Sequence, residues 1–210
     1  MGDREKNVGF AATLNILFTV IEVIGGILTN SLALLADALH DFADSLALII
    51  AWYAEKKAKK PATSKMTFGY RRLSLLSAAF TTVVLIAGSL FVLSQAVPRL
   101  MNPEPVNAQG MIFIAIIGVT INGVGYFRLK KGMSQNEKIL SWHLLEDILG
   151  WIVLLTGAII MKFWNEPVID PLMTIGFTVF VLRGAFRNAK ETFNILLEGV
   201  PEYIDINQVK

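Results

Sequence analysis

The sequence predicts an all-α membrane protein: a bundle of six transmembrane helices with both termini on the cytoplasmic side. Three observations predict it. Of the 210 residues, 54% are hydrophobic and only 17% charged, and the mean hydropathy is +0.55, a balance that does not fit a water-soluble globule. Apolar windows approaching the ~20 residues that a hydrocarbon core demands recur six times, divided by polar or Pro- and Gly-containing breaks. The 19 Lys and Arg residues are split unequally between alternate sides, all but Arg99 and Lys162 falling on one of them.

The first window covers residues 8–28 and has none of the charged start, short apolar run and small-residue cleavage site of a signal peptide, so it reads as a spanning helix. The second covers 31–53 and holds four of the eight ionisable residues named below. The third, 73–97, and the fourth, 111–127, contain none. Ser134-Gln135-Asn136-Glu137 opens the fifth as a capping box, with Ser134 as N-cap and Glu137 at the third helical position, and this helix reaches Met161. The sixth starts at Pro171 and is uncharged only to Leu182. It spans if Arg183 snorkels toward the headgroups while the helix continues to about Arg187.

Arg4 and Lys6, the basic residues of segment 55–72, the group from Arg128 to Lys138, and Arg183, Arg187, Lys190 and Lys210 then share the cytoplasmic side. An odd number of helices would put the basic tail outside. Trp52 with Tyr53, and Trp164, fall near opposite interfaces, where amphipathic rings belong. Segment 55–72 reads as a basic loop that fixes topology and touches anionic lipid. Residues 1–190 are expected to form the transmembrane domain, and 191–210 the start of a cytoplasmic C-terminal segment. Glycines 25, 26, 118, 123 and 125 are expected to permit close helix approach.

Composition also excludes whole classes of chemistry. With no Cys there is no disulfide, thiolate metal site or cysteine nucleophile, so any site for a borderline-soft metal must use His and carboxylates. A net charge of +2 gives no reason to expect nucleic acid as a partner. Neither HExxH nor GxxxxGK[ST] occurs, which removes the zinc-protease helix and the ATP-binding loop.

A charge at the bilayer centre costs at least ~2.5–3.5 kcal/mol, so each ionisable group in the windows needs a reason. They are Glu22 on the first helix; Asp37, His40, Asp41 and Asp44 on the second; and His143, Glu146 and Asp147 on the fifth. The chain has only 2 His, and each has Asp four residues on: His40 with Asp44, His143 with Asp147. That spacing stacks imidazole and carboxylate on one helix face. Two such faces turned together supply two nitrogens and two carboxylates, a donor set suited to tetrahedral zinc. Counted from the cytoplasmic ends of two antiparallel helices, His143 levels with Asp44 and Asp147 with His40. Asp37 lies outward on the ligand face and reads as a release-path or proton-relay carboxylate. Asp41 and Glu146 are rotated about 100 degrees from the ligand faces and read as hydrogen-bond acceptors behind the ligands or as groups lining water. Glu22, Asn15 and Asn122 read as polar contacts between helices.

The chain resembles the cation diffusion facilitator family of divalent-metal transporters along essentially its whole length. The likeness is carried by Asn30-Ser31-Leu32-Ala33-Leu34-Leu35-Ala36-Asp37-Ala38-Leu39-His40 running on to Asp44, Phe68-Gly69-Tyr70-Arg71-Arg72, His143 to Asp147 followed by Gly150, Asp170-Pro171, and Leu197-Glu198-Gly199-Val200-Pro201. The resemblance implies six helices, a transport site of His40, Asp44, His143 and Asp147, metal-for-proton exchange and a homodimer. A His-Asp pair on both helices is similar to the zinc-preferring members. Two features depart from the fuller pattern: residues 128–138 hold no His, and only nine residues follow Pro201 where the family usually continues into a soluble metal-binding domain, which weakens the expectation of a dimer.

The expected activity is zinc efflux across a bacterial or archaeal inner membrane in exchange for protons, with the metal as substrate and no cofactor. Binding would need neutral His40 and His143 and ionised Asp44 and Asp147, so loading would expel protons. The alternatives are another divalent ion (cobalt, cadmium, nickel, iron or manganese) or a membrane metal sensor that binds without transporting.

Overall fold

The computed structural model describes residues 3–58, 70, 73–130 and 135–199. Six helices account for most of them: α1 (Asp3–Thr29), α2 (Leu32–Ala58), α3 (Leu73–Met101), α4 (Ala108–Leu129), α5 (Gln135–Trp164) and α6 (Ile169–Leu196). No strand occurs among the described residues. Within them, stretches of α3, α4, α5 and α6 are long and apolar enough to cross a membrane, and Asn15–Thr29 of α1 is a shorter apolar stretch. Large apolar side chains cover the outward faces: Leu28, Phe91, Phe113 and Phe180 are all exposed. A surface of that kind is stable only against lipid or another apolar face.

The helices outrun the apolar windows, because hydropathy and helicity end at different residues. α2 continues five residues past Tyr53 through Glu55, Lys56 and Lys57, all good helix formers that need no apolar surroundings. α3 runs through Pro98 to Met101. So close to a helix end, the donor that proline lacks costs little. α6 reaches Leu196 rather than stopping near Arg187, carrying the polar residues Asn188, Lys190 and Glu191 on the same rod. The capping box at Ser134 and Glu137, the Trp52 side chain, most of segment 55–72 and all residues from 200 onward lie outside what is described. α5 nonetheless begins at Gln135 as expected.

The helices fall into two groups. α1, α2, α4 and α5 are tied by the contacts α1·α2, α1·α4 and α4·α5, whereas α3 and α6 pair with each other and reach the rest mainly through α2. The larger group has a continuous core of Phe18, Leu34, Met111, Ile114, Trp151 and Leu154, in which the Phe18 and Trp151 rings meet edge to face at 5.2 Å. Gly118 is what lets α4 and α5 close there, since a Cβ at that position would lie 2.3 Å from the Trp151 indole. Gly123, expected to serve a similar contact, instead faces open space. Asn122 gives its amide to the Gly118 carbonyl of its own helix at 3.1 Å, so that donor is spent within α4 instead of bridging helices.

Two residues join α1 to α2. Asn30 makes the reversal in the left-handed region (φ 57), which Asn tolerates better than most side chains. Its carbonyl and side-chain oxygen accept from the Arg99 guanidinium at 2.9 and 2.8 Å, and Arg99 also pairs with Glu104 at 2.7 Å. The start of α2 is capped from outside its own segment. Asp170, in the first turn of α6 and fully buried, accepts from the Ser31 hydroxyl at 2.5 Å and from the Leu32 and Ala33 N–H groups at 2.9 and 3.4 Å. These N–H groups have no partner within the helix. Asp170→Ala should therefore destabilise the folded chain by about 3 kcal/mol, the scale of leaving buried donors unmet. Thermal unfolding in detergent reads this, and an unchanged melting temperature would show that the carboxylate holds nothing.

Candidate metal site

The α2 sequence places Asp37, His40, Asp41 and Asp44 at spacings of three, four and seven residues, so all four fall within two helical turns. The expected meeting of α2 and α5 is present. Asp44 Oδ2 lies 3.4 Å from His143 Nε2 on the opposite helix and 3.8 Å from His40 Nε2 on its own. His143 Nε2 in turn lies 4.0 Å from Asp147 Oδ2. A tetrahedral ion with ligands at 2.0–2.2 Å has ligand-to-ligand edges of ~3.3–3.6 Å, so these separations lie at or slightly above that edge. Among the described residues, no three His, Asp or Glu side chains already form a finished metal-holding group. The structure shows a string of adjacent donors, His40, Asp44, His143 and Asp147, needing small rotations to converge. Backbone spacing leaves the room for it: α2 and α5 make almost no direct backbone approach.

One crevice reaches this string at Asp44, and a second opens beside the neighbouring acids Asp37 and Glu146. Asp44 lines a cavity of about 290 Å³ between α2, α3 and α6, whose other polar walls are Thr81, Thr82, Asn188, Glu191 and Thr192. These residues lie near the start of α3 and the end of α6. Asp37 and Glu146 line a second cavity, of about 480 Å³, among α2, α5 and α6, where the remaining lining is apolar and includes Leu149, Val153, Phe177 and Phe180. Asp37 is buried, and Glu146 is exposed toward that space.

Asp41 turns to α1, where its carboxyl meets that of Glu22. Glu22 is completely buried, and neither of its oxygens nor Asp41 Oδ2 has a hydrogen-bond donor within reach. Two carboxyls can bond each other only when one of them holds a proton. The sequence reading of Glu22 as a polar contact between helices agrees with this, although it named no partner. Sequence reasoning passed over Phe177, whose ring stands edge-on to the His40 imidazole at 5.9 Å.

The chain is similar over most of its length to known cation efflux proteins. The model of a cation efflux transmembrane domain matches residues 9–197. The chain is 35% identical to the metal cation efflux system protein CzcD of Cupriavidus metallidurans over 211 residues, covering 100% of this chain and 67% of that protein. It is 37% identical to the cadmium, cobalt and zinc/H(+)-K(+) antiporter of Bacillus subtilis over 196 residues, 91% of this chain and 63% of that protein. Against the zinc transporter ZitB of Escherichia coli the figure is 35% over 196 residues, 92% of this chain and 63% of that one. The chain thus spans about two thirds of the length of these relatives.

The Glu22 and Asp41 contact yields a prediction of its own. In Glu22→Gln the amide donates to Asp41 without any borrowed proton, so the variant should be more stable at neutral pH by about 1 kcal/mol. Thermal unfolding of the two proteins side by side reads the difference; a variant melting lower than the parent would contradict the carboxyl pairing.

Proposed function

The chain belongs to the cation efflux family, and on that premise we propose that it carries divalent metal ions, zinc foremost, out of the cytoplasm in exchange for protons. The observation that supports this most is the position of Asp44: one carboxylate oxygen stands between the imidazoles of two helices while its residue lines a polar crevice. His40, Asp44, His143 and Asp147 hold the ion as substrate. The protein is an integral membrane protein of a bacterial or archaeal inner membrane. In this reading all six helices span with both termini cytoplasmic, a topology that the one-sided Lys and Arg distribution supports. Residues 1–190 form the transport domain, 191–210 begin a cytoplasmic segment, and two chains assemble as a homodimer.

On this topology the Asp44 crevice opens toward the cytoplasm, because Thr81 and Glu191 lie near the cytoplasmic ends of α3 and α6. An ion enters there and meets Asp44 first. Imidazole binds metal only when neutral and carboxylate only when ionised, so loading releases protons, and protons arriving from the other side compete the ion off. Asp37 and Glu146, on the second crevice, are placed to receive an ion or protons on the outward side. Relatives named for cadmium and cobalt support a second reading, in which the same site carries those ions as well.

His40→Ala, Asp44→Ala, His143→Ala and Asp147→Ala should each abolish zinc uptake into proteoliposomes under an imposed pH gradient while the proteins still insert. Parental flux in any two of them would remove the site. The same assay separates a transporter from a sensor, which would bind zinc with no flux. Apparent zinc affinity should fall as pH drops through ~6.5, the ordinary imidazole range, because protonated rings cannot bind. Calorimetry in buffers of different ionisation enthalpy should count more than one proton released per ion, and zero release at pH 6 with binding intact would leave exchange without a basis in these residues.

A further inference from the structure

For His40 to give a metal the lone pair of Nε2, the atom nearest Asp44, its proton must sit on Nδ1 and be donated to something. Nδ1 is buried, and no protein atom accepts from it. The Thr178 hydroxyl on α6 is likewise buried without a partner, its residue only 2% exposed. Its isolation is unusual within this fold. Thr19, Thr82, Thr120, Thr156 and Thr174 all turn the hydroxyl back onto the carbonyl four residues earlier, at 2.7–2.9 Å, the ordinary resting place of a helical threonine.

His40 and Thr178 line one small pocket together with Ser89 of α3, which is 3% exposed. Otherwise its walls are apolar, Leu39, Leu85 and Phe177 among them. It leaves ≈ 10 Å³ of room for the centre of a water molecule. A single water needs ~10–15 Å³ by that measure, together with two or more polar partners. Two orphaned polar atoms and a third hydroxyl-bearing residue around a space of that size meet both conditions.

We propose that one ordered water in this pocket accepts from His40 Nδ1 and bonds the Thr178 hydroxyl, making Thr178, with Ser89 beside it, a positioning residue that fixes the His40 ring with Nε2 free for metal. This rests on the reading of His40 as a ligand. Thr178 and Ser89 belong to the paired helices α6 and α3, so the ring of a ligand on α2 is aimed from outside the helices that carry the donors. Any shift of that pair relative to α2 would release the imidazole.

The chain has only 2 His, so nitrogen-15 NMR of histidine-labelled full chain in lipid vesicles reads each ring, with His143→Gln assigning the signals. At pH 8 without metal, His40 should carry its proton on Nδ1. Thr178→Val keeps shape but removes the hydroxyl; it should mix the two His40 tautomers and weaken zinc binding by about tenfold, the lower end for groups that orient metal ligands. Thr178→Ser should restore both. A parental tautomer and a parental zinc Kd in Thr178→Val would overturn the proposal, as would a proton on Nε2 in the parent, a measurement that stands even if Thr178→Val fails to insert. If His40→Ala binds zinc normally, the ligand reading fails instead, and the tautomer measurement still reports on the hydrogen bond.

Discussion

In hydrocarbon every polar group must find its partner inside the protein, and the segment from Thr29 to Ala33 shows what that requirement imposes. The chain reverses there in two residues, leaving the first N–H groups of α2 bare. Asp170 meets two of them and the Ser31 hydroxyl, while Arg99 covers the Asn30 carbonyl and amide oxygen. The cap for α2 is thus supplied by α6, and the clamp on the reversal by α3. Because α2 carries His40 and Asp44, the height and rotation of half the proposed donors depend on a carboxylate 130 residues further along the chain, close to the membrane's other helices.

Much of this was legible from the sequence. Six apolar windows became six helices, and the repeat of His and Asp four residues apart picked out His143 and Asp44, which meet across α2 and α5. Both signals arise from periodicity and cost, which act locally. Helix ends were less legible, since Glu55 to Lys57 and Asn188 to Glu191 end the apolar stretch without ending the helix. Asp170-Pro171 stood out only as part of a family likeness; its partners Ser31 to Ala33 lie at a sequence distance no periodicity reports. The pairing of Glu22 with Asp41 and the pocket beside His40 were hidden for the same reason. Each depends on which helix faces which.

The proposed donors sit between two helices whose backbones scarcely approach each other. α4 and α5 interlock through Gly118 and Trp151, and α3 with α6, but α2 and α5 leave a gap that only side chains cross. A largely apolar crevice beside Asp37 and Glu146 opens between α2 and α5, while a polar one reaches Asp44 from the α3 and α6 side of α2. A densely packed seam there would have held α2 and α5 more rigidly and left no space for an ion. The largest buried apolar cluster lies instead around Phe18 and Trp151, with Ile169 and Met173 of α6 packed against it.

The closeness of α4 to α5 at Gly118 reaches beyond packing. The indole of Trp151 rests against a position with no side chain, one turn beyond Asp147 on α5, so the size of residue 118 sets how closely α5 can approach α4. Because Asp44 stands on α2 and His143 on α5, the 3.4 Å between them depends on where α5 stands, so a residue of α4 that touches neither bears on their separation. A methyl group added at position 118 would have to displace the Trp151 indole or α5 itself, and the distance between two side chains elsewhere in the membrane would shift with no change to either of them.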